Sequence, residues 1–189
     1  MMNYFSLGLG LLRATFLSVC SLGAISFRFP LRLDATATLH TRRKGKIRMK
    51  YHVSVNRGAR VVAGEKADIT VGSYTQIGYN NVIVAHERII LGDYVMLGPN
   101  VCIYDHDHVY RKRGIMRDLG YTVAPVEIQD NVWIGAGVII LKGVTIGKGS
   151  VIAAGTVVNR DIPENSLVYN QRELVIKRRI TEDADGIPG

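Results

Sequence analysis

Cysteine is nearly absent from this chain. Cys20 and Cys102 are the only two among 189 residues, and their separation matches no metal-binding or thiol-redox spacing. Nothing therefore calls for an oxidising compartment, and a cytoplasmic setting is the expectation. Phenylalanine and tryptophan are also scarce, with four and one. The 20 glycines and abundant Ile and Val favour many short strands joined by tight turns over a helical bundle. Acidic residues are missing altogether from residues 4–29, "YFSLGLGLLRATFLSVCSLGAISFRF", where Arg13 and Arg28 are the only full charges. The stretch lacks the early positive charge and the A-x-A site of a signal peptide. Arg13, with several Ser and Gly, also breaks the continuous apolar length that a spanning helix needs. Two readings stay open: a segment packed on its own domain or a neighbouring subunit, or one attached to a membrane surface.

The net charge of +8 is concentrated in "TRRKGKIRMK" (41–50) and "KRR" (177–179). Such patches favour anionic partners, and anionic lipid would attract the first of them, placing the protein at the inner face of a membrane. Nucleic acid is not expected, because no aromatic-interleaved basic stripe or recognition motif accompanies the charge. The length suits one domain with appendages. Residues 1–52 form an apolar and then basic segment, helical in part. Residues 53–170 form the main domain, and residues 171–189 a C-terminal extension whose end, "TEDADGIPG", shows no packing pattern and is expected to be mobile.

Within the main domain a period of six is present. Ile128, Ile134, Ile140, Ile146, Ile152 and Val158 follow one another without a miss, accompanied by Val132, Val138 and Val144 and by Gly137, Gly143, Gly149 and Gly155. Upstream the step runs Val71, Ile77, Ile83, Ile89, then shifts by two at "HERII" to Leu91, Leu97 and Ile103. A six-residue period matches neither an α-helix nor a membrane span. It predicts an all-β parallel β-helix whose stacked coils bury one inward side chain per face, with glycine easing the corners. The repeat breaks after Ile103 and resumes near Val126, so residues 104–125 are an insertion, and they begin with "YDHDH".

"VEIQDNVWIGAGVIILKGVTIGKGSVIAAGTVVNRDIPENSLV" (126–168), together with "LGDYVMLGPNVCIYDHDH", resembles the hexapeptide-repeat acyltransferases, in particular the group of galactoside, maltose and streptogramin acetyltransferases and surface-polysaccharide O-acetyltransferases. The resemblance covers about residues 69–177. It implies a left-handed parallel β-helix, a homotrimer with active sites between neighbouring subunits, and acetyl-CoA as donor.

Acyl transfer from a thioester to a hydroxyl needs a base, and neutral imidazole on a loop rooted in a rigid coil suits that work. In galactoside- and maltose-type enzymes the catalytic histidine stands seven places after the Val of PNV. That place is His108 here. His106 is left to contact substrate or orient neighbours, and Asp105 or Asp107 to hold an imidazole tautomer by accepting its other N–H. A zinc site is not expected: His106 and His108 are only two ligands, His86 is distant in sequence, and the paired-histidine spacing of the γ-carbonic anhydrases is absent.

The resemblance also implies that the backbone at Ala136 lies near the thioester, that Ala154 meets the pantetheine arm, that Trp133 lines the pocket, and that Asn159, Arg160 and Lys177 hold the nucleotide end. Small residues at these corners equally suit β-helix geometry, and Trp133 equally suits ordinary packing. Here "YNQRELVIK" lacks the proline of the family's usual closing turn. An acceptor-binding asparagine of the galactoside enzymes aligns with Gly78, leaving Asn80 as the nearby candidate. The expected function is acetyl-CoA-dependent O-acetylation of a sugar, in surface-polysaccharide biosynthesis. The alternatives are N-acetylation of an amino sugar and a β-helical scaffold without catalysis.

Overall fold

In the computed structural model the backbone is described for residues 4–171, and side chains from Leu12 onward. Lys177, the "KRR" run and the "TEDADGIPG" tail lie outside the described residues. One helix, α1 (Tyr4–Cys20), precedes the strands. Six coils of three strands each follow. They are β1 (Ile25–Phe27), β2 (Leu31–Leu33) and β3 (Thr38–Thr41); β4 (Lys46–Met49), β5 (Val53–Val55) and β6 (Arg60–Ala63); β7 (Asp68–Val71), β8 (Gln76–Ile77) and β9 (Val82–Ala85); and β10 (Arg88–Leu91), β11 (Met96–Leu97) and β12 (Cys102–Tyr104). A hairpin of β13 (His106–His108) and β14 (Tyr121–Val123) then leaves the stack. The coils resume with β15 (Val126–Ile128), β16 (Trp133–Ile134) and β17 (Ile139–Ile140), then β18 (Thr145–Ile146), β19 (Val151–Ile152) and β20 (Val157–Val158), and β21 (Leu167–Val168) opens a seventh.

Each coil contributes one strand to each of three parallel sheets. Face A stacks β1, β4, β7, β10, β15 and β18; face B stacks β2, β5, β8, β11, β16, β19 and β21; face C stacks β3, β6, β9, β12, β17 and β20. This is the parallel β-helix that the six-residue period predicts. The register carries like residues over like, so Ile25, Ile47, Ile69 and Ile89 form one inward column, and Ile134 and Ile152 belong to another. Every residue of the Ile128-to-Val158 series is buried. Such burial is worth about 1.5–3 kcal/mol per large side chain, and the repetition of the column makes it the main source of stability. Gly137, Gly143, Gly149 and Gly155 all have positive φ, between 66° and 77°, which places the chain reversal of four upper corners on a residue without a Cβ, while Asn131 at φ 55° takes that seat at another.

The stack begins at Ile25, more than a full coil before the boundary at residue 53 that the repeat suggests. The basic stretch 41–50 is therefore a corner and a strand of the β-helix rather than part of a separate segment. Helix α1 closes the open lower end. Ala14 is fully buried and Leu17 packs on the core. Arg13 donates from Nη1 to the Asp34 carbonyl and from Nη2 to the Ala37 carbonyl, each at 2.6 Å, satisfying acceptors of the first coil.

Candidate functional site

The insertion leaves at the corner between faces C and A, and it is rooted by one side chain. Asp105 is fully buried. Its Oδ1 accepts the backbone N–H of His86 at 2.8 Å, and its Oδ2 accepts those of Glu87 at 2.7 Å and Arg88 at 2.8 Å. These three donors belong to the same corner one coil below. The carboxylate thus satisfies a turn that would otherwise bury unpaired N–H groups. The Ala124 N–H closes onto the Asp105 carbonyl at 2.9 Å, so the hairpin departs and returns at one point. Between them β13 and β14 pair antiparallel, with His106 opposite Val123, Asp107 opposite Thr122 and His108 opposite Tyr121.

Asp105 also decides which imidazole has a carboxylate partner. Its Oδ1 lies 3.1 Å from His106 Nδ1. A carboxylate accepts only, so Nδ1 carries the proton there and Nε2 is left as the acceptor. Asp107 turns away, its Oδ2 lying 3.4 Å from Lys142 Nζ. Among the described residues neither aspartate is recorded against His108.

The rings form one cluster. His86, distant in sequence, packs against His106 with centroids 4.1 Å apart and the rings tilted by 46°, because Val82–Ala85 and the strand before His106 are neighbours on face C. Tyr121 lies 4.2 Å from His86, 5.2 Å from His106 and 4.6 Å from His108. Burial, followed by the neighbouring His106, holds the His86 pKa below the usual imidazole value. No three His, Cys, Asp or Glu side chains among the described residues are arranged to hold a metal ion.

Two cavities flank the hairpin. One, of about 310 Å³, is lined by His108 with Asp107, Tyr110, Arg111, Thr122 and Lys142. The other, of about 920 Å³, runs down face C from Tyr104, His106 and Tyr121 past His86 to His40 and Arg42. Neither Tyr121 nor Lys142 stood out in the sequence. Lys142 had one usable signal: it precedes Arg160 by 18 residues, one coil of three hexads, and so shares its corner. Asn159 and Arg160 lie there, exposed and two coils above the hairpin.

The remaining candidates lie elsewhere on the prism. Trp133 projects from face B, half exposed, between Met96 and Val151. Ala136 and Ala154 are exposed at the corner between faces B and C, one above the other. There the backbones approach so closely that a Cβ on Gly135 would meet the Ala154 nitrogen at 2.6 Å. Asn80 occupies the same corner two coils lower, at φ +54°, a left-handed seat that asparagine tolerates. Within one chain the hairpin and the Trp133–Ala136–Ala154 group are therefore separated by a face.

The family model described as bacterial transferase hexapeptide (six repeats) matches residues 125–160. The chain is 39% identical over 123 residues to a galactoside O-acetyltransferase of Lactococcus lactis, covering 63% of this chain and 56% of that one. Among solved structures it is similar to a maltose O-acetyltransferase from Clostridium difficile, at 31% identity and a TM-score of 0.50, covering 76% of this chain and 63% of that one. It is also similar to a hexapeptide-repeat-containing acetyltransferase from Vibrio cholerae complexed with acetyl-CoA, at 29% identity and a TM-score of 0.53, covering 76% and 64%. The chain spans about half the length of the curated relatives it matches. With its coils, its hairpin at the C–A corner and its matched hexads, the chain is similar to the hexapeptide-repeat acyltransferases.

Proposed function

We propose that this protein is an acetyl-CoA-dependent O-acetyltransferase acting on a hydroxyl of a sugar, with His108 as general base, in surface-polysaccharide biosynthesis on the cytoplasmic side of a membrane. The observation that carries the reading is the division of the candidate residues. An imidazole hairpin stands at one corner, and a small-residue corner beside an exposed tryptophan stands a face away. Such halves make a site when the hairpin of one protomer meets faces B and C of another. This supports a homotrimer with shared active sites. The apolar outward row of face B, Met96, Trp133, Val151 and Leu167, offers the surface for it.

The residues fit the donor. At the upper B–C corner Ala136 and Ala154 present only methyl groups, leaving room for a slender thioester arm, and Asn159, Arg160 and, beyond the described residues, Lys177 suit a phosphate-bearing end. Acetyl-CoA supplies an acetyl group activated as a thioester. His108 takes the proton from the sugar hydroxyl as its oxygen bonds to the acetyl carbon, and gives that proton to the departing sulfur as the carbon–sulfur bond breaks. Lys142, beside Asp107 at the rim of the His108 cavity, adds positive charge where negative charge develops on the carbonyl oxygen.

A second reading is favoured by one contact. Asp105 fixes the tautomer of His106 rather than His108, an arrangement that suits a base whose Nε2 faces substrate. Single-turnover assays with a panel of oligosaccharides and nucleotide sugars separate the two. The expected outcome is that His108→Ala lowers kcat by roughly a hundredfold to ten-thousandfold while His106→Ala costs less. The reverse order makes His106 the base, and unchanged turnover in both variants removes the histidine mechanism. Loss of the product's acetyl group in mild alkali distinguishes the ester from an amide.

A further inference from the structure

The lower end of the molecule bears an apolar surface that the coils do not cover. Ala14 and Leu17 of α1 turn inward. On the other side Leu12, Phe16 and Val19, spaced one and two turns apart, are 71%, 65% and 68% exposed, and Leu22 at the end of the helix is 96% exposed. A helix that is apolar on both sides is normally covered on both sides, and a contiguous apolar patch of this kind marks a contact surface.

The chemistry beside the patch identifies the cover. Leu22 and Gly23 line a cavity of about 590 Å³ together with Arg43, Lys44, Lys46 and Lys66 from the lower C–A corners. Arg43 is paired with Glu65, and Asp68, which also lines this cavity, is held by Arg48. Lys44, Lys46 and Lys66 have no recorded carboxylate partner among the described residues. A second copy docking by the same face would set lysines against lysines. A surface that is apolar inside and anionic at its headgroups complements both parts of the patch at once. No helix among the described residues is long and apolar enough to cross a membrane. The geometry thus favours a helix lying in the interface.

We propose that the outer face of α1 and the lysine-rich corner beside it seat this protein on an anionic phospholipid membrane. Apolar side chains Leu12, Phe16, Val19 and Leu22 enter the headgroup boundary, and Lys44, Lys46 and Lys66 contact phosphate. The same corner continues through Arg42 and Arg43 into the face C cavity that ends at His106, so one edge of the prism leads from the lipid to the hairpin.

Flotation of the full-length protein with vesicles tests this directly. The protein should float with vesicles of phosphatidylcholine mixed with phosphatidylglycerol and only weakly with phosphatidylcholine alone. Phe16→Glu combined with Val19→Glu, both surface changes, should weaken partitioning by at least about tenfold, and Lys44→Glu with Lys46→Glu should do the same. Unchanged circular dichroism melting curves show that both variants remain folded. Failure of the unaltered protein to float with the anionic vesicles overturns the proposal, as does equal binding to both lipid mixtures or a Phe16→Glu/Val19→Glu protein that floats normally. Sedimentation velocity adds a further outcome: if that double substitution dissociates a self-assembled species and leaves flotation intact, the face belongs to a second copy and the proposal fails.

Discussion

The lower and upper coils bury the same kind of column but are built from different lengths of chain. Ile25 stacks with Ile47 and Ile47 with Ile69, 22 residues per coil, whereas Ile128 stacks with Ile146, 18 residues apart. The additional residues sit in four-residue strands such as β4 and β7, which point two side chains inward instead of one, and in longer corners. The left-handed seats differ as well. Upper coils fill most of them with glycine, at 137, 143, 149 and 155, while lower ones include Arg43, His52, Lys66, Tyr74 and Tyr94. Bulky residues at positive φ cost on the order of 1–3 kcal/mol each. Part of that cost is offset where the rings stack: His52 on Tyr74 at 4.6 Å and Tyr74 on Tyr94 at 5.0 Å, nearly parallel. The inward column dictates the coil, and the corners are free to carry other chemistry provided that something compensates for the backbone.

That contrast breaks most sharply at glycine. A Cβ on Gly135 runs into the backbone of the next coil, whereas a Cβ on Gly137, at φ +66°, meets nothing within 4 Å. Gly135→Ala should lower unfolding stability by about 3 kcal/mol, and Gly137→Ala by about 1 kcal/mol, measured by denaturant titration. Equal costs would mean that conformation, not contact, governs the upper corners.

Tyr74 sharpens the lower half of the comparison. Tyr74→Ala gives up both stacks and keeps the strained seat, an expected loss of about 1–2 kcal/mol. Tyr74→Gly gives up the stacks but relieves the seat, leaving stability within about 1 kcal/mol of the original. If the alanine and glycine variants melt together, the stacked corner does not compensate for its backbone.

The smallest effect concerns acid. His86 has a folded pKa below its ordinary value, chiefly from burial, so the folded chain binds a proton less readily than the unfolded one. As pH falls below the usual imidazole value of about 6.5, stability should decline, the loss becoming complete below the folded pKa. His86→Gln should flatten that limb of the stability–pH curve. A limb that keeps its slope would assign it to other groups.

These differences explain what was legible in the sequence. Eighteen is three hexads, so the series from Ile128 to Val158 shows itself and fixes the architecture; 22 is not, and the first two coils hide behind a basic stretch and an apolar helix. The insertion was legible because it interrupts a perfect repeat. Its candidate base, His108, came from spacing within a resemblance, and its position on the hairpin follows. What spacing along the chain does not encode is which residues meet across coils. The tilted contact of His86 with His106, the approach of Lys142 to Asp107 and the three N–H groups gathered by Asp105 all arise from register. Either Asp105 or Asp107 could hold an imidazole by sequence; Asp105 lies against His106, but its larger role as the anchor of the corner below leaves no sequence signature.

The anchoring of Asp105 and Ala124 has a consequence for change over time. Because the coil is already closed at their shared hydrogen bond, residues 106–123 are a cassette whose contents can be exchanged without disturbing the columns on either side. The hairpin can therefore be rewritten alone, while the Ala136–Ala154 corner a face away keeps its shape.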